Sequence, residues 1–223
     1  MDATTLSFEV AGGETTSGLW LAPPEACACL VLAHGAGAGM AHNAIAATAN
    51  GLAERGVATL RYNFLYMEQG GKRPDPPARA HAAVRAAVAK AHELAPSLPL
   101  FAGGRSFGGR MTSQAQAKAA LSNVRGLVFF AFPLHPAGKP SDERGEHLSD
   151  VTLPMLFLQG ENDALATLEL LRPVVADLGK RATLKLIPDA DHSFHIPAKT
   201  GRKDADVLNE ILDTAAKWML ERG

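Results

Sequence analysis

Ser106 lies in the frame G-x-S-x-G, built from Gly104, Arg105, Ser106, Phe107 and Gly108. The apolar stretch Leu98 to Ala102 before it reads as a buried strand, and Met111 to Leu121 after it, rich in Ala, Gln and Lys, reads as a helix. A serine on such a strand-to-helix turn is held in a strained conformation, and flanking glycines let neighbouring backbone approach closely. Its hydroxyl is lifted above the sheet, with a helix N-terminus beneath it to stabilise developing negative charge. A hydroxyl becomes a nucleophile only beside a base, and the base needs a third group to orient it. Two further loops supply those types. G-E-N-D at 160–163 offers Asp163, with Glu161 as a competitor; P-D-A-D-H-S-F at 188–194 offers His192, with Asp189 a further carboxylate and His195 three residues on. In that chemistry the serine oxygen attacks an acyl carbonyl as the histidine takes its proton, and the carboxylate holds the imidazole tautomer.

Residues so far apart in sequence can meet only if their loops share one edge of the molecule. Apolar segments of strand length alternate with helix-like segments along nearly the whole chain. Thr5 to Val10 and Ser17 to Leu21 read as an antiparallel pair around Gly12-Gly13. Further strands are predicted over Ala28 to Ala33, Val57 to Tyr62, Gly126 to Phe132, Pro154 to Gln159 and Thr183 to Ile187. Helices are predicted over Asn43 to Arg55, Ala78 to Leu94, Ala166 to Leu178 and Asp204 to Arg222. This alternation predicts an α/β chain: a mostly parallel, doubly wound sheet of about 7–8 strands with helices on both faces. Right-handed crossovers then bring the C-terminal ends of the strands to a common edge. No repeat or linker interrupts the pattern, so residues 1–223 read as one domain.

Composition excludes several classes. The 223 residues carry 22 basic and 23 acidic side chains with no basic stripe, which argues against nucleic acid as a partner. The longest apolar runs, Ala26 to Ala33 and Gly126 to Leu134, are too short to span a bilayer, so no membrane association is expected. The opening M-D-A-T-T-L-S-F-E-V lacks the basic and apolar regions of a signal peptide. Cys27 and Cys29 are poorly placed to pair with each other and read as small buried side chains. A reducing, cytoplasmic location follows. His42, His81, His92 and His147 are not spaced as a metal-ligand set, so neither metal nor cofactor is expected. The glycines of H-G-A-G-A-G-M, 34–40, match neither the dinucleotide fingerprint nor a phosphate-binding loop.

With nucleophile, acid and base in the order Ser, Asp, His, each after a separate strand, the sequence resembles the α/β-hydrolase superfamily. It is most similar to the small dienelactone-hydrolase-like members. H-G-A-G at 34–37, R-Y-N-F at 61–64, P-D-P-P at 74–77, G-G-R-S-F-G-G-R at 103–110 and P-L-H-P-A-G-K-P at 133–140 resemble one subgroup, the hydrolases related to testis-expressed and histone-acetyltransferase-complex subunits. Leu65 stands where that resemblance leads to proline. The resemblance implies the α/β-hydrolase fold and favours Ser106, Asp163 and His192 as the catalytic set, by their positions after the strands.

It further implies oxyanion donors at the Phe107 N–H and at Ala36, with Gly37 as alternative, and a hydrogen-bonded scaffold role for His34 behind that loop. The connection Pro133 to Leu153 is about 20 residues, room for a minimal lid or none. Arg105 and Arg110 bracket the nucleophile. They read first as ion-pair partners of neighbouring helices and second, with His135, as contacts to a substrate. The expected activity is cleavage of an ester, thioester or similar acyl bond in a small molecule; the alternative is a non-catalytic interaction module that kept the fold.

Overall fold

The computed structural model describes residues 2–223. Eight strands are formed by β1 (Thr4–Val10), β2 (Glu14–Leu21), β3 (Ala28–Ala33), β4 (Val57–Tyr62), β5 (Leu100–Arg105), β6 (Val124–Phe130), β7 (Met155–Gly160) and β8 (Ala182–Ile187). They make one sheet in the order β1-β2-β4-β3-β5-β6-β7-β8. β2 pairs antiparallel with β1 and with β4, and every other neighbour is parallel. Helices are α1 (Asn43–Ala53), α2 (Leu65–Glu68), α3 (Pro77–Leu94), α4 (Phe107–Lys118), α5 (Leu168–Leu178) and α6 (Asp204–Leu220).

β3, at the centre of the sheet, is apolar and buried at every position because both of its faces are covered. Along β3, Cys29, Val31 and Ala33 enter one core, while Ala28, Leu30 and Leu32 enter the other. β6 and β7 divide the same way, with Leu127, Phe129, Met155 and Phe157 on the first side and Val128, Phe130, Leu156 and Leu158 on the second. The first core is closed by α3, α4 and α5 through residues such as Val84, Met111 and Leu171. The second is closed by α1 and α6 through Ile45, Leu52, Ile211 and Trp218. The doubly wound sheet with helices on both faces is therefore as expected.

Some boundaries differ from the sequence reading, and glycine explains the largest difference. β5 runs three residues past Ala102, through Gly103 and Gly104, and α4 starts at Phe107 rather than Met111. A Cβ at Gly104 would lie 2.4 Å from the Ala33 carbonyl oxygen, and one at Gly108 2.6 Å from that of His34. These glycines serve close packing of β5 and α4 against β3; sequence rules read them as breaks. The short helix α2 begins at Leu65, a first-turn position that tolerates proline because its N–H needs no helical acceptor. Leu65 is buried there, so the departure from proline leaves the loop's course intact. The connection after β6 holds a 3₁₀ segment, Glu143–Asp150, and no inserted helical cap. Cys29 is buried, as expected, but Cys27 precedes the strand and is exposed. Among the described residues no helix is long and apolar enough to cross a membrane.

Candidate active site

The C-terminal ends of β3, β5, β6, β7 and β8 bring five loops to one edge of the sheet. Ser106 is the hinge between β5 and α4, with φ 50° and ψ −117°, a left-handed conformation that costs a non-glycine residue strain. It is held from both sides: the Ser106 N–H donates to the Phe130 carbonyl at 3.0 Å, and its own carbonyl accepts from Arg110 N at 3.1 Å. The outcome is a hydroxyl projected off the sheet toward the β8 loop. His192 Nε2 lies 2.9 Å from Ser106 Oγ, and His192 Nδ1 lies 2.7 Å from Asp163 Oδ2. The Asp163 side chain is fully buried, whereas the His192 ring is 23% exposed.

Asp163 is anchored by more than the imidazole. Its Oδ1 accepts from Leu165 N at 2.8 Å, and its Oδ2 also accepts from Gln159 Nε2. Gln159, buried at the end of β7, had no role in the sequence reading, although a polar residue closing an apolar strand was the available signal. The competing carboxylates turn elsewhere. Glu161 and Asp189 make no contact with His192, and Asp189 takes up positive φ in the loop. His195 pairs instead with exposed Asp204, Nδ1 to Oδ2 at 2.8 Å, which raises its pKa.

The loop after β3 folds against the serine, and a Cβ at Gly35 would lie 3.8 Å from Ser106 Cβ. His34 is wholly buried behind it. Its Nδ1–H donates to the Gly35 carbonyl at 2.8 Å, and its Nε2 accepts the Phe64 N–H at 3.0 Å. Burial, the largest cause, lowers the His34 pKa to about 4, consistent with a neutral ring making one donation and one acceptance. In a planar trans peptide the N–H points opposite to the carbonyl. Fixing Gly35 O therefore fixes the direction of the Ala36 N–H. Tyr66 Oη donates to Ala36 O at 2.7 Å and in the same way fixes the Gly37 N–H. Among the described residues, the N–H groups of Ala36, Gly37 and Phe107 have no protein acceptor.

Ser106, Phe107 and Ala36 line a cavity of about 380 Å³ that also takes in Arg110, Arg144 and Met111. A smaller, apolar cavity of about 150 Å³ lies on the other side of Arg105, among Ile45, Phe130 and Phe194, and does not include Ser106. The two arginines beside Ser106 thus diverge. Arg105 donates from Nη2 to the His192 carbonyl at 3.4 Å and sits 5.8 Å over the Phe194 ring. Arg110 lines the cavity of Ser106, 5.8 Å over the Phe107 ring. The ion pairs expected for both are not formed: among the described residues no carboxylate oxygen lies within ion-pair distance of either guanidinium. Arg105 does feel the charges of Asp191 and Asp163, but Asp191 accepts the Ser193 and His195 N–H groups and Asp163 accepts from His192, Gln159 and Leu165.

His135 corrects a further expectation. It is buried, with Nδ1 donating to Pro136 O at 2.9 Å and Nε2 accepting Thr167 N at 3.1 Å. Both ring nitrogens are occupied in joining the β6 and β7 loops, and neither is left for a substrate. A second serine–histidine contact, Ser113 Oγ to His147 Nε2 at 2.7 Å, does not line the cavity of Ser106. Ser113 is fully buried and also donates to the Arg110 carbonyl at 3.0 Å, so it cannot meet a substrate. Among the described residues, no group of three or more His, Cys, Asp or Glu is arranged to hold a metal.

A family model described as an alpha/beta hydrolase domain matches residues 26–220. Solved structures with the same fold include a dienelactone hydrolase from Anabaena variabilis, at 20% identity and TM-score 0.79, covering 99% of this chain and 98% of that one. A serine hydrolase without a lid from Xanthomonas campestris aligns at 22% identity and TM-score 0.75, over 98% and 95% of the two chains. Est1E from Butyrivibrio proteoclasticus aligns at 18% identity and TM-score 0.73, over 100% and 99%.

Proposed function

The chain belongs to the alpha/beta hydrolase domain family, and on that footing we propose that it is a serine hydrolase cleaving an ester or thioester of a small molecule through an acyl-enzyme. The observation that carries this reading is the unbroken hydrogen-bond line from Ser106 through His192 to buried Asp163, opening on a cavity beside three backbone N–H groups with no acceptor.

In this mechanism Ser106 Oγ forms a bond to the acyl carbon as its proton passes to His192 Nε2. The carbonyl oxygen becomes an oxyanion and receives the N–H groups of Phe107 and Ala36, with Gly37 adjacent. Asp163 accepts from Nδ1 and stabilises the imidazolium without taking its proton. His192 then protonates the departing alkoxide or thiolate, and the carbon–heteroatom bond breaks. Water enters and gives a proton to His192 as its oxygen bonds to the acyl carbon; His192 returns that proton to Ser106 Oγ as the acyl–Ser106 bond breaks, releasing the carboxylic acid. The open mouth left by the short connection after β6 supports a small or protruding substrate. Two free cysteines, Cys27 and Cys29, accord with a reducing compartment such as the cytoplasm.

The test is covalent labelling by a fluorophosphonate probe alongside hydrolysis of p-nitrophenyl esters and acyl thioesters of graded length. Wild type should label once, on Ser106, and Ser106→Ala should lose both labelling and turnover. Labelling that persists on another residue would sink the assignment, and folded protein that never labels would favour a non-catalytic module.

A further inference from the structure

Arg110 and Arg144 share the cavity of Ser106, and their condition there is unusual. The Arg110 Nε is buried without a hydrogen-bond partner, and among the described residues no protein acceptor meets its other guanidinium nitrogens. Arg144, on the 3₁₀ segment Glu143–Asp150, likewise has no carboxylate within ion-pair distance. Burial lowers the Arg110 pKa first, and the facing Arg144 charge lowers it further. The one carboxylate in the cavity wall is already engaged. Asp75 pairs through Oδ1 with Arg79 Nη1 at 2.6 Å and accepts Tyr66 N through Oδ2 at 3.0 Å.

Neighbouring titratable groups do not neutralise the arginines. His81 and His147 both lie close enough to Arg110 to feel its charge, and both have lowered pKa values with burial as the first cause, His147 to about 4. Two cations facing one cavity whose single carboxylate is spent on Arg79 cost electrostatic energy, and burying the Arg110 Nε–H without an acceptor costs more. A site that keeps such an arrangement gains when an anion enters, because two oxygens of one oxyacid group accept paired N–H donors from arginine.

We propose that the acyl substrate carries an anionic oxyacid group, carboxylate or phosphate, received by Arg110 and Arg144 while its acyl carbonyl lies at Ser106. This rests on the serine-hydrolase reading for the reacting end and on the cavity alone for the anionic end. Arg110 sits one helical turn after the nucleophile, so the anionic group is held within the same 380 Å³ space and the substrate is short. Arg105 takes no part, since it faces the other cavity.

Binding can be measured without turnover. Isothermal titration would compare adipic acid monoanilide, a non-hydrolysed amide with a free carboxylate, with its neutral primary amide and a matched ω-phosphonate. Wild type and Ser106→Ala should both bind an anionic probe at least about 10-fold more tightly than the neutral one, the scale of one charge-assisted hydrogen bond. The better of the two anions identifies the oxyacid. Arg110→Gln and Arg144→Gln should each erase most of that preference, and Arg110→Lys should keep part of it. Arg144 is only partly buried on the 3₁₀ segment, so its variant tests the idea even if Arg110→Gln is unstable. Equal binding of acid and amide by wild type, no binding of either anion, or a preference that survives both glutamine variants would overturn the proposal. Failure of Ser106 to label would instead remove the hydrolase reading and leave anion binding standing.

Discussion

Gln159 and Asp163 are joined at the C-terminal end of β7: Gln159 Nε2 donates to Asp163 Oδ2, the oxygen that also receives His192 Nδ1. Gln159 Oε1 meanwhile accepts the Phe132 N–H at 2.9 Å, so the amide bridges the β6 and β7 loops and has a single consistent orientation. Replacing Gln159 with Leu should orphan the buried Phe132 N–H, costing about 1–3 kcal/mol, and loosen the aspartate. The expected result is a lower urea midpoint together with slower acylation. Asp163→Asn should lower kcat by about 10⁴-fold through the wrong imidazole tautomer, and, because its amide nitrogen cannot accept from Gln159 Nε2, it should also lower the urea midpoint. Single-turnover acylation rates measured beside urea titrations separate the two effects.

His34 directs the Ala36 N–H through the Gly35 carbonyl while accepting from Phe64 N. A His34→Phe variant should lose both bonds. Loss of one well-aimed oxyanion donor lowers kcat by about 10²–10³-fold, and a misdirected donor should approach that value. The check is kcat against KM on a p-nitrophenyl ester: kcat should fall with KM nearly unchanged. A rate within twofold of wild type would remove His34 as a positioning residue.

Acid should destabilise the fold through the same histidine. The folded-state pKa of His34 is lowered to about 4 from an unfolded 6.5, so the unfolded chain binds the extra proton between those values. Stability is therefore intact above pH 6.5, is lost as pH falls toward 4, and changes no further from this group below that. The slope from His34 reaches about 1.4 kcal/mol per pH unit. His147, also lowered to about 4, acts in the same direction and window. Urea midpoints at pH 7, 6 and 5 should fall in order, and imidazole ¹⁵N shifts at pH 5 should report neutral His34 with Nδ1 protonated. A protonated ring at pH 5 would contradict this.

Gly108 packs its α-carbon against the His34 and Ala33 backbone, where a Cβ would lie 2.6 and 2.7 Å from their carbonyl oxygens. Gly108→Ala should force α4 from β3, costing about 1–3 kcal/mol in overpacking. Because α4 starts at Phe107, the N–H proposed as one oxyanion donor moves with it, so labelling of Ser106 should slow along with the drop in thermal midpoint. Unchanged labelling in a destabilised variant would separate packing from the site.

Much of the fold was legible because its signals are local. Apolar runs such as Ala28 to Ala33 mark strands covered on both sides, and turn residues bound them, so strands and helices were placed in the right order. Boundaries failed at Gly103, Gly104 and Gly108, where a residue type that usually ends elements was used for backbone contact. Ser106, Asp163 and His192 were legible as loop residues after separate strands. Gln159, Tyr66 and Arg144 were not, because their roles come from partners far along the chain.

The sequence by itself determined the alternating α/β pattern and the types of group that meet at the sheet edge, since both follow from short-range composition and order. Tertiary structure decided which neighbour does what. His192 faces Ser106 while His195, three residues on, turns to Asp204; Arg110 lines the cavity of Ser106 while Arg105 supports the His192 loop; His135 is buried between loops. Side-chain direction at a strand end depends on register and on how the following loop closes. An arginine's lack of a counter-charge depends on everything packed around it, and neither is written in a local stretch of residues.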